Sequence, residues 1–345
     1  MDVKIFKTQF DAIFMTSFND FVAQAKNRTN DPYILSSISH TSSIASTGKR
    51  IRPYNVAVAY EAYSGSSWKD ISHLLVGVEL IHLMALIHDD IMDNAETRHG
   101  VQTVHSFTKN HIESLCSDSF VDHVSRSQAI LVGDMIFSWA YKSISQKSTP
   151  KEVWDIVHEL VEEVVVGQMI DVITPLSNNS DFKSVENKML LKTARYTFSR
   201  PLMLGAMAAS APDKSFWLQK FGDALGLMFQ AQDDLLDVVS QESLLKKSTL
   251  GDIKNGVHTL ISVYVSDNAN DEQKDIWNSW FGKNIDLDSE LVNKFLTDMG
   301  AIDYVQDYIS TQKEKAMTIL AESDISESHK DNFKKIIDML SHRKY

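Results

Sequence analysis

Long segments of this chain contain few helix-breaking residues, and this scarcity limits the folds open to it. Only six prolines and thirteen glycines occur among 345 residues. Within the long segments, apolar residues recur at every third or fourth position, which is the pattern of an amphipathic helix and not of a strand. Residues 5–25, for example, place Phe6, Phe10, Phe14 and Phe18 on one helical face. The sequence therefore predicts an all-α fold.

Composition limits the kinds of partner that this chain is expected to bind and the compartment in which it is expected to occur. The chain has 43% hydrophobic and 23% charged residues, as in ordinary globular proteins. A formal net charge of −12 argues against nucleic acid or an anionic membrane surface as the main partner. The single cysteine, Cys116, excludes an internal disulfide. Residues 1–10 lack the apolar core of a signal peptide, and no apolar run reaches the ~18 residues of a membrane span. We expect a cytoplasmic protein without stable membrane insertion.

The chain shows no obvious division into domains. No linker rich in Pro, Gly or Ser interrupts it, and no repeat of solenoid length is visible. We therefore expect one domain over residues 1–345. Residues 31–53 are interpreted as a polar turn region that ends in a basic cluster. Residues 108–126 are polar and include two histidines, which predicts a surface excursion.

An apolar helix that ends in carboxylates is predicted at residues 79–98, which read ELIHLMALIHDDIMDNAETR. A helix turns about 100° per residue, so Asp89 and Asp93 share a face and Asp90 points a quarter-turn away. Two carboxylates one turn apart can hold a hard cation between them. His82 lies two turns before Asp89 on nearly the same face.

A second helix ends in the same way. Residues 221–237 read FGDALGLMFQAQDDLLD, with Asp233 and Asp237 on one face and Gln230 three residues before them. One such pentapeptide is a weak signal, because many acidic helix ends are simply solvated. Two copies, each closing an apolar helix, favour a site. Carboxylates without thiolates select hard cations, and among these Mg²⁺ usually bridges one or two carboxylates to substrate phosphates. With the metal bound, acidic helices can clamp a diphosphate.

Basic residues supply the rest of an anion site. The segment GKRIRP at residues 48–53 places Lys49, Arg50 and Arg52 just before a predicted helix, where backbone N–H groups also favour anions. On its own this segment is equally well explained as a solvated basic turn. Arg98, five residues after Asp93, could reach a phosphate held by the first carboxylates.

The ordered motifs resemble those of the trans-prenyl (polyprenyl) diphosphate synthases, the family of farnesyl and geranylgeranyl diphosphate synthases. The motifs GKRIRP, ELIHLMALIHDDIMD, RHGVQTVH, AILVGD, GQMID, KTARYTFSRPL, FQAQDDLLD and GDIKNGVHT occur in the order of that family. The resemblance implies an all-α, single-domain bundle around a deep central cavity, usually as a homodimer. It also implies a Mg²⁺-dependent reaction in which isopentenyl diphosphate extends dimethylallyl, geranyl or farnesyl diphosphate by five carbons.

The resemblance further implies roles for individual residues. It assigns two or three Mg²⁺ ions to Asp89, Asp90, Asp93, Asp233 and Asp237. It assigns isopentenyl diphosphate to Lys49, Arg52 and His82. It assigns the allylic diphosphate to Arg98, and it makes Lys247 a further diphosphate ligand. It places Lys192, Thr193 and Gln230 beside the reacting carbon, and Gln168 and Asp171 on the cavity wall. The proton acceptor it implies is the released diphosphate.

The chain departs from the family pattern at three places. His99 stands where a second arginine is common, so one contact to isopentenyl diphosphate is expected to be weaker or pH-dependent. Val257 stands where a lysine is common, so that cation is missing. Residues 106–127 are longer than the usual loop, which resembles the surface insertion of some bacterial synthases.

Product length is predicted from the residues before the first aspartates. In the family, bulky aromatic residues four or five positions earlier close the cavity floor, whereas this chain has Ala85 and Met84, with Ile81 a turn below. We therefore expect geranylgeranyl diphosphate (C20), with a longer product or farnesyl diphosphate as alternatives.

Other functional classes share parts of the pattern. His88-Asp89 is the central dipeptide of HD-type phosphohydrolases, although that reading leaves the second aspartate motif unexplained. Glu79 and His82 match half of a di-iron carboxylate motif, but no second copy is found. A terpene cyclase shares only the first aspartate motif. A regulatory subunit of a heteromeric synthase would ordinarily have lost aspartates that this chain keeps.

Overall fold

The computed structural model describes residues 1–115, 117–145, 149–176, 181–239 and 250–341, and it confirms the predicted all-α fold. The helices are α1 (Val3–Lys26), α2 (Pro32–Ala45), α3 (Ile51–Ser64), α4 (Ser72–Met92), α5 (Val104–Ile112), α6 (Asp118–Ile144), α7 (Lys151–Ile173), α8 (Phe182–Met189), α9 (Arg200–Ala208), α10 (Ser215–Val239), α11 (Gly251–Asn255), α12 (Leu260–Asn268), α13 (Asp271–Trp280), α14 (Ser289–Asp298), α15 (Ala301–Glu322) and α16 (Glu327–Ser341). Short 3₁₀ turns occur at Trp68–Ile71, Thr174–Leu176 and Pro212–Lys214. Two short strands, β1 (Thr97–Arg98) and β2 (Val101–Gln102), pair antiparallel.

The chain divides into two compact units. The N-terminal unit comprises residues 1–61 and 65–151, and the C-terminal unit comprises residues 62–64 and 152–345. Each unit has its own buried core. The single domain expected over residues 1–345 therefore stays a prediction.

In the N-terminal unit, α4 lies against α6 along its length. Glycines permit this close approach on both helices. A Cβ atom at Gly77 would lie 2.3 Å from Ile144 Cγ1, and one at Gly133 would lie 2.2 Å from His88 Nε2. The His88 ring also contacts the Ile130 carbonyl oxygen at 3.1 Å. His88 therefore has a packing role, which does not favour the phosphohydrolase alternative.

Aromatic rings on α1 form a column in the core of the same unit. Phe6, Phe10, Phe14 and Phe18 are at most 1% exposed. The ring centroid of Phe6 lies 4.9 Å from that of Trp68. The predicted packing stripe is confirmed.

The C-terminal unit is built around α10, which contacts both α15 and a π-helix at Leu190–Ser199. This π segment joins α8 to α9 without a break. A π-helix of this length is unusual, because most occur as single-turn bulges, frequently at functional sites. Glycines again allow the contact. A Cβ atom added at Gly226 would lie 2.1 Å from Ala194 Cα, and one added at Gly167 would lie 2.4 Å from the Lys192 backbone nitrogen. A third glycine, Gly222, would place its Cβ 2.5 Å from Ser199 Cα.

Two segments differ from the sequence expectation. The polar region at 31–53 contains α2, which begins at a proline and is capped by Asp31, whose Oδ1 accepts from the Tyr33 amide at 2.9 Å. The cap and the N1 proline outweigh the modest helix propensity of the many serines. Residues 106–127 form parts of α5 and α6, and Thr108 and Ile112 are buried there. The expected surface excursion is thus largely helical, while its status as an insertion stays a prediction.

One segment among the described residues, Trp68–Met92, is long and apolar enough to cross a membrane by length and composition alone. The expectation that no run reaches this length was therefore wrong. In this structure 61% of its most apolar window is buried inside the protein, as in the core helix of a soluble protein, so the segment is weak support for a membrane span.

Candidate active site

The first acidic group lies at the carboxyl end of α4. Asp89 is half-buried, Asp90 is only 1% exposed, and Asp93 caps the helix by donating its amide to the Asp89 carbonyl oxygen at 2.9 Å. Arg98 reaches back to this group: its Nε donates to Asp90 Oδ1 at 2.6 Å and its Nη2 to Asp89 Oδ2 at 3.2 Å. The predicted neighbours Asp89, Asp90 and Arg98 are therefore in contact.

A tight turn between β1 and β2 gives Arg98 this position. His99 has a φ of 51° and Gly100 a φ of 79°, so both central residues of the turn adopt the left-handed conformation that suits a two-residue hairpin. Glycine accepts that conformation freely, whereas histidine adopts it at some cost. The exposed His99 is thus part of the turn that brings Arg98 to the aspartates.

Burial and charge make the first group a place that favours a cation. Burial raises the pKa of Asp90 to about 6, and the neighbouring Asp89 and Asp93 add to the rise while Arg98 opposes it. Asp90 Oδ2 is also buried, without a hydrogen-bond partner among the described residues. A divalent ion would satisfy this oxygen and relieve the repulsion, so the carboxylates fit Mg²⁺.

A basic group in the same unit surrounds His82. Burial lowers the pKa of His82 well below 6.5, and the charges of Arg52, Arg98, Arg50 and His99 lower it further. The structure thus brings together most of the residues predicted to bind isopentenyl diphosphate. Lys49 lies exposed in the loop just before α3.

Arg50 has a different role from its two basic neighbours in the sequence. Its guanidinium is buried and donates to Asp11 Oδ1 at 2.7 Å, to Glu79 Oε1 at 2.6 Å and to the Ala45 carbonyl oxygen at 2.6 Å. Arg50 also has a left-handed backbone, with φ 58°. The residue therefore fixes the loop that carries Lys49 and the start of α3, which carries Arg52. The sequence pattern could not separate this structural arginine from Lys49 and Arg52.

The second acidic group lies on α10. Asp233 is exposed, Asp234 is buried and Asp237 is half-buried. Gln230 Nε2 donates to Asp234 Oδ1 at 2.7 Å. Asp237 accepts from the amides of Gly251 at 3.2 Å and Asp252 at 3.0 Å, so α11 is tied to this group.

Asp252 is a member of this group that the sequence interpretation missed. Burial and the charges of Asp234 and Asp237 raise its pKa well above the ordinary value, and burial raises the pKa of Asp234 to about 7. The motif GDIKNGVHT, whose second residue is Asp252, was the available signal. Lys247, predicted to bind diphosphate, lies outside the described residues, as does Cys116.

The residues predicted to lie beside the reacting carbon meet on the π segment. Thr193 Oγ1 donates to Gln230 Oε1 at 2.6 Å, and Lys192 Nζ donates to Asp171 Oδ2. Gln168 lies on α7, three residues before Asp171, and is half-buried. The structure brings Lys192 to Asp171 and Thr193 to Gln230, as their shared assignment to one site requires.

Metal binding stays a prediction at both acidic groups. Among the described residues, no three His, Cys, Asp or Glu side chains are gathered around one metal position. Mg²⁺ typically uses only one or two carboxylates and completes its shell with water and phosphate oxygens. The two groups belong to different units, so the clamp predicted between them also stays a prediction.

Comparison with known proteins agrees with these observations. A family model described as polyprenyl synthetase matches residues 34–299. The chain is 30% identical to the geranylgeranyl diphosphate synthase of Methanosarcina mazei, over 78% of this chain and 79% of that protein. It is 28% identical to the octaprenyl diphosphate synthase of Escherichia coli, over 67% of this chain and 66% of that one.

Solved structures give the same result. A geranylgeranyl pyrophosphate synthase from Corynebacterium glutamicum, complexed with isoprenyl diphosphate and magnesium, superposes with a TM-score of 0.87 at 25% identity and covers 100% of both chains. The fold is thus that of the prenyl synthases. The chain therefore belongs to the polyprenyl synthetase family and is a prenyltransferase, a trans-prenyl diphosphate synthase.

Proposed function

We propose that this enzyme joins isopentenyl diphosphate to an allylic diphosphate in a Mg²⁺-dependent reaction and that its main product is geranylgeranyl diphosphate. The observation that carries the proposal is the pair of acidic groups, each closing an apolar helix and each accompanied by half-buried cations in its own unit. Arg98 contacts Asp89 and Asp90, while Lys192 contacts Asp171. Such pairs are suited to a multiply charged anion that arrives with metal ions.

Individual side chains have separate tasks in this proposal. Asp89, Asp90 and Asp93, with Asp233 and Asp237, hold two or three Mg²⁺ ions, which when bound would draw negative charge from the diphosphate as its C–O bond breaks. Arg52, His82 and Lys49 bind isopentenyl diphosphate, with His99 nearby. Because the ring of His82 stays neutral, it can donate one hydrogen bond to a phosphate oxygen without adding a charge.

The π segment suits the stabilisation of an allylic cation. Thr193 donates its hydroxyl hydrogen to Gln230, so the Thr193 oxygen keeps lone pairs for a developing positive charge. Gln230 in turn donates to Asp234, which fixes its amide orientation. Gln168 and Asp171 line the same side of the proposed reaction cavity. Lys247 is proposed to bind diphosphate. The proton lost from the elongated chain goes to the released diphosphate.

The C20 product is supported by small or flexible side chains near the first aspartates. Met84 is 9% exposed and Ile81 is 1% exposed, while Ala85 is half-buried. None of the three is a bulky aromatic that would close a cavity floor. Named relatives include geranylgeranyl and octaprenyl synthases, so longer chains are the main alternative.

The deciding experiment supplies the enzyme with Mg²⁺, labelled isopentenyl diphosphate and, separately, dimethylallyl, geranyl or farnesyl diphosphate. Chromatography of the dephosphorylated products gives the chain length. The C20 alcohol is expected from all three primers. A product that stops at C15 would contradict the proposed role of Met84 and Ala85. Absence of elongation with every primer would instead favour a regulatory subunit of a heteromeric synthase.

A homodimer and a cytoplasmic location complete the proposal. Exposed apolar side chains on α6 and on α7 support the dimer, and each set follows one helix. On α6 these are Ile130, Leu131, Phe137 and Tyr141, and on α7 they are Val165, Val166, Met169, Val172 and Ile173. Exposed apolar faces of this kind are typical of interaction surfaces. The ordinary globular composition supports the cytoplasm.

A further inference from the structure

Lys188 is a buried cation in the C-terminal unit that none of the assignments above uses. It lies on α8, one helical turn before Lys192, and its side chain is 9% exposed. Its Nζ donates to Asp171 Oδ1 at 3.0 Å and to the backbone oxygen of His258 at 2.9 Å. A buried ammonium group is costly unless it is paired and hydrogen-bonded, so these contacts define one position for it.

Asp171 connects Lys188 to the proposed reaction centre. One oxygen of its carboxylate accepts from Lys188 and the other from Lys192. Burial alone would raise the pKa of Asp171, but the two ammonium groups hold it below the ordinary value. The carboxylate therefore stays ionised and bridges two lysines on consecutive helical turns.

Lys188 also acts on the second acidic group through its charge. It lowers the pKa of both Asp234 and Asp252, which burial and neighbouring carboxylates otherwise raise. Its contact with the His258 carbonyl oxygen lies next to Val257, whose amide donates to the Asp252 carbonyl oxygen at 2.8 Å. The Lys188 ammonium thus supplies positive charge beside Val257, although Lys188 lies on a different helix, α8.

We propose that Lys188 is a positioning residue for the elongation reaction: it orients Lys192 through their shared carboxylate and offsets one negative charge of the second acidic group. The proposal rests on the proposed function for the part that concerns Lys192. Two consequences can be separated. Geometry at Lys192 controls turnover with the allylic substrate, whereas the charge of Lys188 controls how strongly the aspartates attract a divalent ion.

The test compares Lys188→Gln, which keeps a hydrogen-bond donor but loses the charge, with Lys188→Arg, which keeps the charge. Lys183→Met is the matched control, because Lys183 is exposed on the same helix and its loss changes the net charge equally. The first readout is binding of Mn²⁺ alone, followed by the free-ion electron paramagnetic resonance signal. Mn²⁺ prefers the same oxygen ligands as Mg²⁺.

Lys188→Gln is expected to bind Mn²⁺ several-fold more tightly than the wild type, since a cation beside the aspartates has been removed. Lys188→Arg and Lys183→Met should keep the wild-type affinity. In steady-state assays Lys188→Gln should lower kcat by about 10- to 100-fold, the range for residues that orient functional ligands. The KM for isopentenyl diphosphate, bound in the proposal by residues of the N-terminal unit, should not change.

The proposal is overturned if Lys188→Gln behaves like Lys183→Met in both measurements. A loss of turnover with unchanged Mn²⁺ affinity would also overturn it, because that result indicates a general structural defect. If the wild-type enzyme fails to elongate any primer, the proposed function fails, yet the Mn²⁺ titration still decides the electrostatic role of Lys188. The two failures are therefore distinguishable.

Discussion

At the scale of single residues, two carboxylates of the proposed site are held in an unfavourable environment. Asp90 and Asp234 are buried beside other aspartates, and their pKa values rise to about 6 and about 7. A protein keeps such repulsion only where something compensates for it. Arg98 and Lys188 compensate in part, and metal ions are proposed to supply the rest.

Removal of one proposed metal ligand should reduce turnover strongly. We expect Asp89→Ala or Asp233→Ala to lower kcat by at least ~10²-fold, the scale of losing one electrostatic stabiliser of the transition state. The assay is elongation of farnesyl diphosphate at saturating Mg²⁺. Asp155→Ala, at an exposed position of α7, is the control. A near-normal rate in either variant would show that its aspartate does not hold the metal.

His82 gives a prediction about pH and stability. Its pKa in the folded protein lies well below the ordinary 6.5, so on acidification the unfolded chain takes up a proton before the folded one does. Stability is therefore complete above that ordinary value and is lost as pH falls toward the folded pKa. Between pH ~7.5 and pH ~5.5, the unfolding free energy measured with urea should fall less for His82→Gln than for the wild type. The exposed His158→Gln variant should match the wild type, and an unchanged loss in His82→Gln would contradict the expectation.

Arg50 gives a prediction about stability alone. Its side chain is 3% exposed and its partner Glu79 is 5% exposed. Arg50→Met leaves a buried carboxylate without its partner and should cost about 3–5 kcal/mol of unfolding free energy. The surface pair Lys294–Asp298 provides the control, because Lys294→Met should change it by only ~0–1 kcal/mol. Chemical denaturation measures the change in unfolding free energy of both variants. Equally small changes would mean that the Arg50–Glu79 pair is not structurally important.

At the scale of elements, three glycines hold the π segment between α7 and α10. Gly226→Ala places a methyl group where Ala194 already lies, and such overpacking typically costs about 1–3 kcal/mol. Because Lys192 and Thr193 lie on the displaced segment, kcat should fall as well. Urea denaturation and elongation assays measure the two effects. Asn187→Ala, at an exposed position of α8, is the control. Wild-type stability in Gly226→Ala would mean that the helices separate easily there.

The elements also show how far the sequence predicts the structure. The strong apolar spacing of residues 151–173 predicts one helix, and α7 has these bounds in the structure. Helix α2 was missed, since its serines and threonines suggested a turn and only Asp31 and Pro32 signalled a start. The π segment could not be predicted, because its i to i+5 hydrogen bonding follows from packing against glycines on other helices.

The candidate site was also predicted only in part from the sequence. Local spacing was enough to group Asp89 and Asp90 with Arg98, which the structure finds in contact. Asp252 and Lys188 were not found, because neither belongs to a repeated pattern and their contacts with the site arise from tertiary packing. Partners created by tertiary packing leave no periodic signal.

At the scale of the whole molecule, the exposed apolar face of α7 predicts self-association. Met169 is 65% exposed and Ile173 is 60% exposed, one helical turn apart. In a homodimer that buries this face, Met169→Lys should weaken association by inserting a charge into an apolar contact. Sedimentation velocity is expected to show a dimer for the wild type and a larger monomer fraction for the variant. Glu162→Lys, at an exposed position of the same helix, is the control. A wild-type monomer at micromolar concentration would contradict the prediction.

The aromatic column of α1 has a consequence for where this protein can be shortened. The part that the family model recognises begins at residue 34, whereas Phe6 and Phe10 are completely enclosed by the rest of the N-terminal unit. Asp11, on the same helix, accepts a hydrogen bond from Arg50, which fixes the proposed substrate-binding loop. A cut at the recognised boundary would therefore open the hydrophobic interior to water and remove a support of that loop. The boundary of the family match and the boundary of the segment that must be kept for folding are therefore different positions in the chain.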